Sequence, residues 1–289
     1  MVKQSIVNKK FLKAGVEEAR EILLNKVTLK TASLRGDFDV CELIKKSNKR
    51  NLIQAAVLIP IIKRDNGFTI ILTQRKDNLS NHAGQISFPG GKKDKSDLSI
   101  EHTAVREAKE EIGLNINTKE IIGKLGTWET RTGFIITPVV SFKTDVPKLE
   151  RNVNEVEEIF EVPLDYLFNP KNHKLEKRNF NNKNHKFYAI EYLDHYIWGA
   201  TAGIIMNLYS LLRWIMLNKL ILIIPIFLFI LLFFLFKYSN FLRKINNKFN
   251  NFPVIFSISL IIIVLIILLT FFAFRDGADI DKEYTPPYV

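Results

Sequence analysis

The sequence predicts an α/β sandwich, a mixed sheet flanked by helices, followed by a transmembrane helical hairpin. Three observations carry this expectation. Two continuous apolar runs, Ala55 to Ile62 and Phe68 to Thr73, bracket the turn sequence Arg64-Asp65-Asn66-Gly67. The segment from Ile100 to Ile112 has an apolar stripe at helical spacing and runs into Gly113. Beyond residue 219, two long runs carry no charge at all, 220–236 and 254–274.

Three regions follow from these signals. Residues 1–49 form an extension with a helix over Val16 to Asn25 and a polar stretch after it. Residues 50–212 form the globular domain. Its first two strands meet at Asn66-Gly67, a pair that readily takes positive φ at both central positions of a hairpin turn. The acidic helix follows, then a strand over 135–142. Residues 171–186, rich in Asn, Lys and His, read as an exposed loop or hairpin. A closing helix covers Ala200 to Leu212. Residues 213–289 form the membrane segment.

The helix from 100 to 112 has recognisable ends. Ser96 or Ser99 caps its start, and Asp97 and Glu101 lie near the positive end of its dipole. Ile100, Ala104, Ala108 and Ile112 make a stripe that faces a core, and Gly113 suits a left-handed residue just past the end. Glu107 and Glu111 are four apart and share a face, with Glu110 at its edge. Three acids so close repel one another, which suggests that a hard cation supplies the missing charge; an all-oxygen site suits magnesium or manganese. Upstream, Pro89-Gly90-Gly91 is a tight turn whose backbone can approach a metal or phosphate, because no Cβ intervenes.

The run Gly90-Gly91, then Arg106-Glu107-Ala108-Lys109-Glu110-Glu111-Ile112-Gly113-Leu114, resembles the signature of the Nudix hydrolases. Its tail matches residue for residue. The spacing departs from the common form: the usual preceding glutamate falls near Asp97 or Leu98. A second motif, Ile71-Leu72-Thr73-Gln74-Arg75 through Gly84-Gln85-Ile86-Ser87-Phe88-Pro89-Gly90-Gly91, is similar to the coenzyme A pyrophosphatase subfamily. This chain has Lys76 where serine or alanine is usual, and Ser80 where arginine is usual. Further matches are Thr132-Gly133-Phe134, Thr137-Pro138-Val139-Val140, Glu155 through Leu164, and Tyr196 through Ala202. The resemblance spans roughly residues 50 to 212.

The resemblance implies a Nudix-type α/β/α sandwich that uses Mg2+ or Mn2+. It implies Glu107, Glu110, Glu111 and the Gly91 carbonyl as metal ligands, with Glu107, Glu110 and Arg106 in catalysis. Arg75, Gly84, Gln85, Phe88 and Gly90 then line the substrate. The implied reaction splits the pyrophosphate bond of coenzyme A into 3′,5′-ADP and 4′-phosphopantetheine. The alternatives are a Nudix hydrolase of another nucleoside diphosphate derivative, and a membrane protein whose domain only binds a nucleotide or partner.

Each residue also has a plainer reading. A Glu-rich helix ending in glycine is usually a solvated face. Arg106 taken alone is a surface cation; beside Glu107 it reads as the partner that holds that carboxylate in position. His82 is a hydrogen-bonded scaffold residue of its loop. Gln85 and Phe88 either shape the pocket or seat the loop. Glu155 and Glu158 read as another acidic helix start, either solvated or reaching the metals or serving as a base.

The two apolar runs count 17 and 21 residues, flanked by Lys219, Lys237 and Arg275. Bilayer spans need about 20, with roughly 17 as a lower limit; Pro225 is tolerable in a membrane helix. The pair reads as a multi-pass anchor in a bacterial-type inner membrane, with membrane lipid as a partner. The basic link (Arg243, Lys244, Lys248) prefers the cytoplasm and the acidic tail the outside, which taken alone exports the enzyme domain. Met1 to Gly15 is polar with lysines and lacks the apolar core of a leader, and coenzyme A chemistry belongs in the cytoplasm, so the hydrolase domain is expected there. Met216-Leu217-Asn218-Lys219 resembles the start of a separate small membrane protein, so the chain also reads as two fused or joined reading frames.

The net charge of +11 comes from lysines scattered among asparagines and isoleucines. No basic stripe interleaves with aromatics, so nucleic acid is not an expected partner. Cys41 is the one cysteine, which excludes an internal disulfide and a cysteine metal site.

Overall fold

In the structure, a computed structural model, the described residues are 35–37, 52–77, 83–145, 148–180, 183–212, 234 and 237. The chain divides into two compact units, Met1–Arg213 and Trp214–Val289. All strands and helices named below belong to the first. The expected helix over 16–25, the loop residues Ser80 and His82, and the apolar runs 220–236 and 254–274 lie outside the described residues, Phe234 excepted. Among the described residues no helix is long and apolar enough to cross a membrane.

The strands are β1 (Arg35–Gly36), β2 (Ile53–Arg64), β3 (Gly67–Arg75), β4 (Ile86–Ser87), β5 (Gly90–Lys92), β6 (Ile121–Lys124), β7 (Trp128–Glu129), β8 (Phe134–Lys143) and β9 (Val156–Pro163). They form one mixed sheet with the path β1-β7-β8-β2-β3-β4; β5 pairs with β2, β6 with β8 and β9 with β3. At its centre β2 and β8 run parallel, from Ile53 opposite Phe134 to Ile62 opposite Lys143. The strands β10 (Lys174–Phe180), β11 (Lys183–Tyr192) and β12 (His195–Trp198) form a second, antiparallel sheet. The segment expected as a loop or hairpin is therefore a hairpin.

Alternation sorts β2 into two faces, and both are buried because both are covered. On one face Ala56, Leu58 and Ile62 pack with Ile71, Val139 and the stripe Ala104, Ala108 and Ile112 of helix α1 (Ile100–Ile112). The opposite face carries Ile59 and Ile61, fully buried, and Phe68 against Phe142 with ring centroids 5.7 Å apart. Trp128 lies on this second face by register with Ile136. A Cβ at Gly203, in helix α3 (described over 199–212), would collide with the Trp128 ring. Helices thus cover both faces, as in an α/β/α sandwich. The short helix α2 (Leu164–Leu167) follows β9, with Leu164 and Leu167 buried.

Two local expectations are corrected. The β2–β3 turn closes with Arg64 opposite Gly67, so Asp65 and Asn66 are its central residues. Positive φ falls on Gly67 (133°) and not on Asn66, because the register is set one residue earlier by the flanking apolar alternation. The acidic helix start at Glu155 and Glu158 is instead the start of strand β9. Val156, Ile159, Phe160 and Val162 are strand formers and pair along β3 from Thr69 to Arg75, with a bulge between Gln74 and Arg75.

Candidate active site

Helix α1 and the turn before it build the site. Ser99 caps the helix, its side chain accepting the His102 N–H at 3.1 Å. Gly113 ends it at φ 69°, its N–H donating to the Lys109 carbonyl at 3.0 Å. Fixed at both ends, the helix turns its carboxylates towards strand β5. The two glycines of β5 allow close approach. A Cβ on Gly91 would fall 2.6 Å from the Glu107 carboxylate, and one on Gly90 would fall 2.4 Å from the Ala56 carbonyl oxygen. Gly90 also donates its N–H to Glu111 at 3.1 Å. Its role here is to hold a carboxylate.

Arg106 is the organising cation, and its main partner is not Glu107. Its Nε and Nη2 each donate to Asp97 at 2.9 Å, one to each oxygen. Asp97 is 4% exposed and accepts further bonds from the Asp94 N–H at 2.8 Å and the Thr103 hydroxyl at 2.9 Å, with the His102 ring at 2.9 Å. The Arg106 bonds above all hold its carboxyl far below the usual carboxylate range. With its remaining nitrogen Arg106 reaches Glu107 and Glu110, both at 2.9 Å. Nη2 also donates to the Lys92 carbonyl at 3.3 Å, which ties the helix to the end of the glycine turn.

Glu111 stands in contrast. It is 2% exposed, yet among the described residues it receives only the Gly90 N–H and an Arg75 nitrogen at 3.4 Å. Burial pushes its pKa up to about 7, with the charges of Glu107 and Glu155 adding to the rise. Burial raises Glu107 as well, again with Glu155 contributing. Glu155 precedes β9, which lies beside Arg75 at the end of β3, so a third acid faces the pair. Its carboxylate has the Asn152 amide at 3.4 Å.

The structure therefore brings together Arg75, Gly90, Gly91, Glu107 and Glu111 of the expected site, and adds Glu155. Glu110 is at the edge, its side chain 55% exposed and paired with Arg106. Gly84 takes φ 66°, and a Cβ there would fall 2.5 Å from Asp77, so it shapes the neck of the β3–β4 connection. Gln85 accepts the Arg75 N–H at 3.0 Å on its carbonyl. Phe88 is 2% exposed, so it seats the turn in the core and does not line a pocket. As the side chains stand, no three His, Cys, Asp or Glu among the described residues converge as a metal-binding group. The donor set still fits a hard divalent cation: buried Glu111 and partly buried Glu107 have one arginine each among the described residues, Glu155 lies nearby, and a glycine backbone leaves the carboxylates open to approach. Sequence reasoning missed the Asp97–Thr103–His102 lock; an acid nine positions before Arg106, at the helix start, was the available signal.

Residues 52–183 match the NUDIX domain family. The uncharacterized Nudix hydrolase NudL of Yersinia enterocolitica is 39% identical over 158 residues, which cover 55% of this chain and 80% of that protein. NudL of Pectobacterium atrosepticum is 39% identical over 155 residues, covering 54% of this chain and 80% of that one. The chain belongs to the Nudix hydrolases. It is an enzyme of that class. Among solved structures it is similar to a MutT/nudix family protein from Enterococcus faecalis, at 15% identity, 54% coverage of each chain and a TM-score of 0.37.

Proposed function

We propose that this enzyme hydrolyses the pyrophosphate bond of coenzyme A or a close derivative, releasing 3′,5′-ADP and 4′-phosphopantetheine. The observation that supports this reading is the segment from Ile71 to Gly91. Its motif residues resemble the coenzyme A pyrophosphatases, and its Arg75 lies at the carboxylate site, 3.4 Å from Glu111. Lys76 and Ser80 depart from that pattern and favour, as a second reading, another nucleoside diphosphate derivative.

Glu107, Glu111 and the Gly91 carbonyl would hold magnesium or manganese. When bound, such an ion neutralises pyrophosphate charge and acidifies a water at neutral pH. Arg106 fixes Glu107 through the Asp97 lock, so the carboxylate loses little entropy on engagement. Arg75 offers the nearest cation for a phosphate oxygen. Glu155, with no ion pair among the described residues, is placed to accept a proton. The test is a panel of nucleoside diphosphate derivatives with magnesium, scored for 4′-phosphopantetheine. Preferred turnover of coenzyme A supports the proposal; faster release of a nucleotide from another substrate selects the second reading.

The sequence beyond residue 219 supports a further part of the reading, a two-helix membrane anchor with the hydrolase domain in the cytoplasm. The full chain is expected to fractionate with membranes and to resist high salt and carbonate. Removal of everything after Leu212 is expected to give a soluble, active enzyme, since Arg75, Gly90, Gly91, Glu107, Glu111 and Glu155 all precede residue 160. Release of the full chain by salt overturns the anchor.

A further inference from the structure

The outer part of the β10–β11 hairpin carries two lysines, Lys177 and Lys186, that no acid among the described residues neutralises. Strand β12 pairs with β11 only from Ala189 to Tyr192, while the β10–β11 ladder continues to Phe180 opposite Lys183. The outer half is thus a two-stranded ribbon, an arrangement of marginal stability by itself. Within it Lys177 lies directly opposite Lys186, and both are exposed. Like charges so placed repel. Other cations meet acids: Arg64 with Glu161, Lys124 with Glu101, Lys143 with Glu120 and, at the inner end of the hairpin itself, Lys174 with Glu191. Lys177 and Lys186 have no carboxylate partner among the described residues. Arg178 lies over the Trp198 ring, 5.5 Å from its centroid. From Lys174 to Lys186 the sequence holds five Lys or Arg and one Glu.

Such a ribbon fits an extended anionic surface better than a compact anion, because its cations are spread along two strands and not gathered round a cleft. A nucleic acid needs open aromatic faces for base stacking. Here Trp198 is covered by Arg178, and Phe187 packs edge-on against it at 5.5 Å. The same polypeptide also carries the uncharged runs 220–236 and 254–274, which make a lipid surface the neighbour at hand.

We propose that the β10–β11 hairpin docks on anionic lipid headgroups through Lys177 and Lys186, which share one face of the ribbon, holding the hydrolase domain against the bilayer surface. The choice of lipid as occupant rests in part on reading the two apolar runs as membrane-inserting, and the experiment keeps the two apart. The full chain is reconstituted with vesicles of phosphatidylcholine alone, or containing about one-third phosphatidylglycerol, a surface that attracts basic segments. Vesicle flotation reports the apolar runs; amide hydrogen exchange over 176–188 reports the hairpin. Flotation is expected with both vesicles. Exchange at the hairpin is expected to slow roughly fivefold or more with anionic vesicles only. About 1 M salt, which shortens the screening length to about 3 Å, should abolish the difference. Lys177→Glu with Lys186→Glu should abolish it too, and Lys177→Gln with Lys186→Gln serves where the first pair misfolds. Flotation with hairpin exchange indifferent to lipid charge overturns the proposal. Equal slowing by an oligonucleotide beside neutral vesicles overturns it in favour of nucleic acid. Failure to float on neutral vesicles, with hairpin protection retained on anionic ones, removes the anchor and leaves the hairpin contact standing.

Discussion

Asp97 and Glu111, at opposite ends of helix α1, are both buried carboxylates, 4% and 2% exposed, yet they are held in opposite ways. Asp97 is met by an arginine fork, a backbone N–H, a hydroxyl and a histidine ring. Glu111 has one backbone N–H and an arginine nitrogen at 3.4 Å. Burial is the same, so donor supply decides. The first stays ionised in the folded state and holds the helix to the loop before it. The second has one arginine at 3.4 Å set against its own charge and those of Glu107 and Glu155, a surplus of negative charge that suits a cation. A buried acid with ample donors is scaffold, and one short of them is a site.

The largest effect that sharpens this contrast is on rate. Glu111→Gln is expected to lower kcat/KM about 1000-fold, roughly 4 kcal/mol of barrier, because it would remove a ligand of the proposed cation site. The thermal midpoint of the metal-free protein should not fall, since an uncompensated buried charge is removed. Steady-state kinetics and a melting curve check both halves. A variant keeping more than a tenth of the activity would sink the assignment of Glu111.

Asp97→Asn should do the reverse. Leaving Arg106 without its fork partner inside the fold costs about 3 kcal/mol, as breaking a buried pair does. In a domain of this size that is roughly 6–12 °C in Tm. Activity at a temperature where the variant is folded should fall less than for Glu111→Gln, because Arg106 retains Glu107 and Glu110 at 2.9 Å. A melting curve unmoved by Asp97→Asn would show that the lock is ornamental.

The pH dependence separates the two carboxylates by sign. Glu111 has its folded pKa raised, from 4.5 to about 7, so the folded protein binds the proton more tightly than the unfolded chain. Its contribution is full below about 4.5 and is lost as pH climbs through about 7, worth up to about 3 kcal/mol. Asp97 has its pKa lowered, so its contribution is present above 3.8 and is lost as pH falls towards the folded value. Metal-free protein is therefore expected to melt lower at pH 8 than at pH 5.5, and saturating magnesium should offset the loss at pH 8 by binding the ionised form. Melting curves at both pH values, with chelator or with magnesium, check this; a flat metal-free profile from 5.5 to 8 would contradict it.

The sequence made half of this contrast legible. The stripe Ile100, Ala104, Ala108 and Ile112, the Ser99 cap and the Gly113 stop placed helix α1 because each is a local signal. The spacing of Glu107 and Glu111 put them on one face for the same reason. The sorting of partners was not local. Arg106 chose Asp97 over Glu107 because the chain before the helix folds back to put Asp94, Asp97 and Thr103 together. Glu155 reached the site because Val156–Pro163 is a strand paired to β3, whereas its acid spacing, read alone, suggested a helix. Phe88 went into the core for a similar reason, since β4 and β5 close over it. Periodicity reports which side of an element a residue occupies; pairing across 30 or more residues decides what that side meets.

The smallest expected effect comes from the one cation near Glu111. Arg75 lies 3.4 Å from its carboxylate and is among the influences that restrain the rise in its pKa. At that distance, and with the arginine side chain 26% exposed, the attraction is worth about 1 kcal/mol or less. Arg75→Gln should therefore move the pH at which metal-free stability falls upwards by under one unit, roughly half. The direction is fixed by the sign of the lost charge: without the guanidinium, ionised Glu111 is less favourable and the proton is held to higher pH. The variant should also raise KM more than it lowers kcat if the same guanidinium meets a substrate phosphate, a split that loss of packing alone does not produce. Melting curves of the metal-free variant across pH 6 to 8 measure the shift. A displacement towards lower pH would mean that Arg75 does not serve Glu111, and that the carboxylate is poised by burial and its acidic neighbours alone.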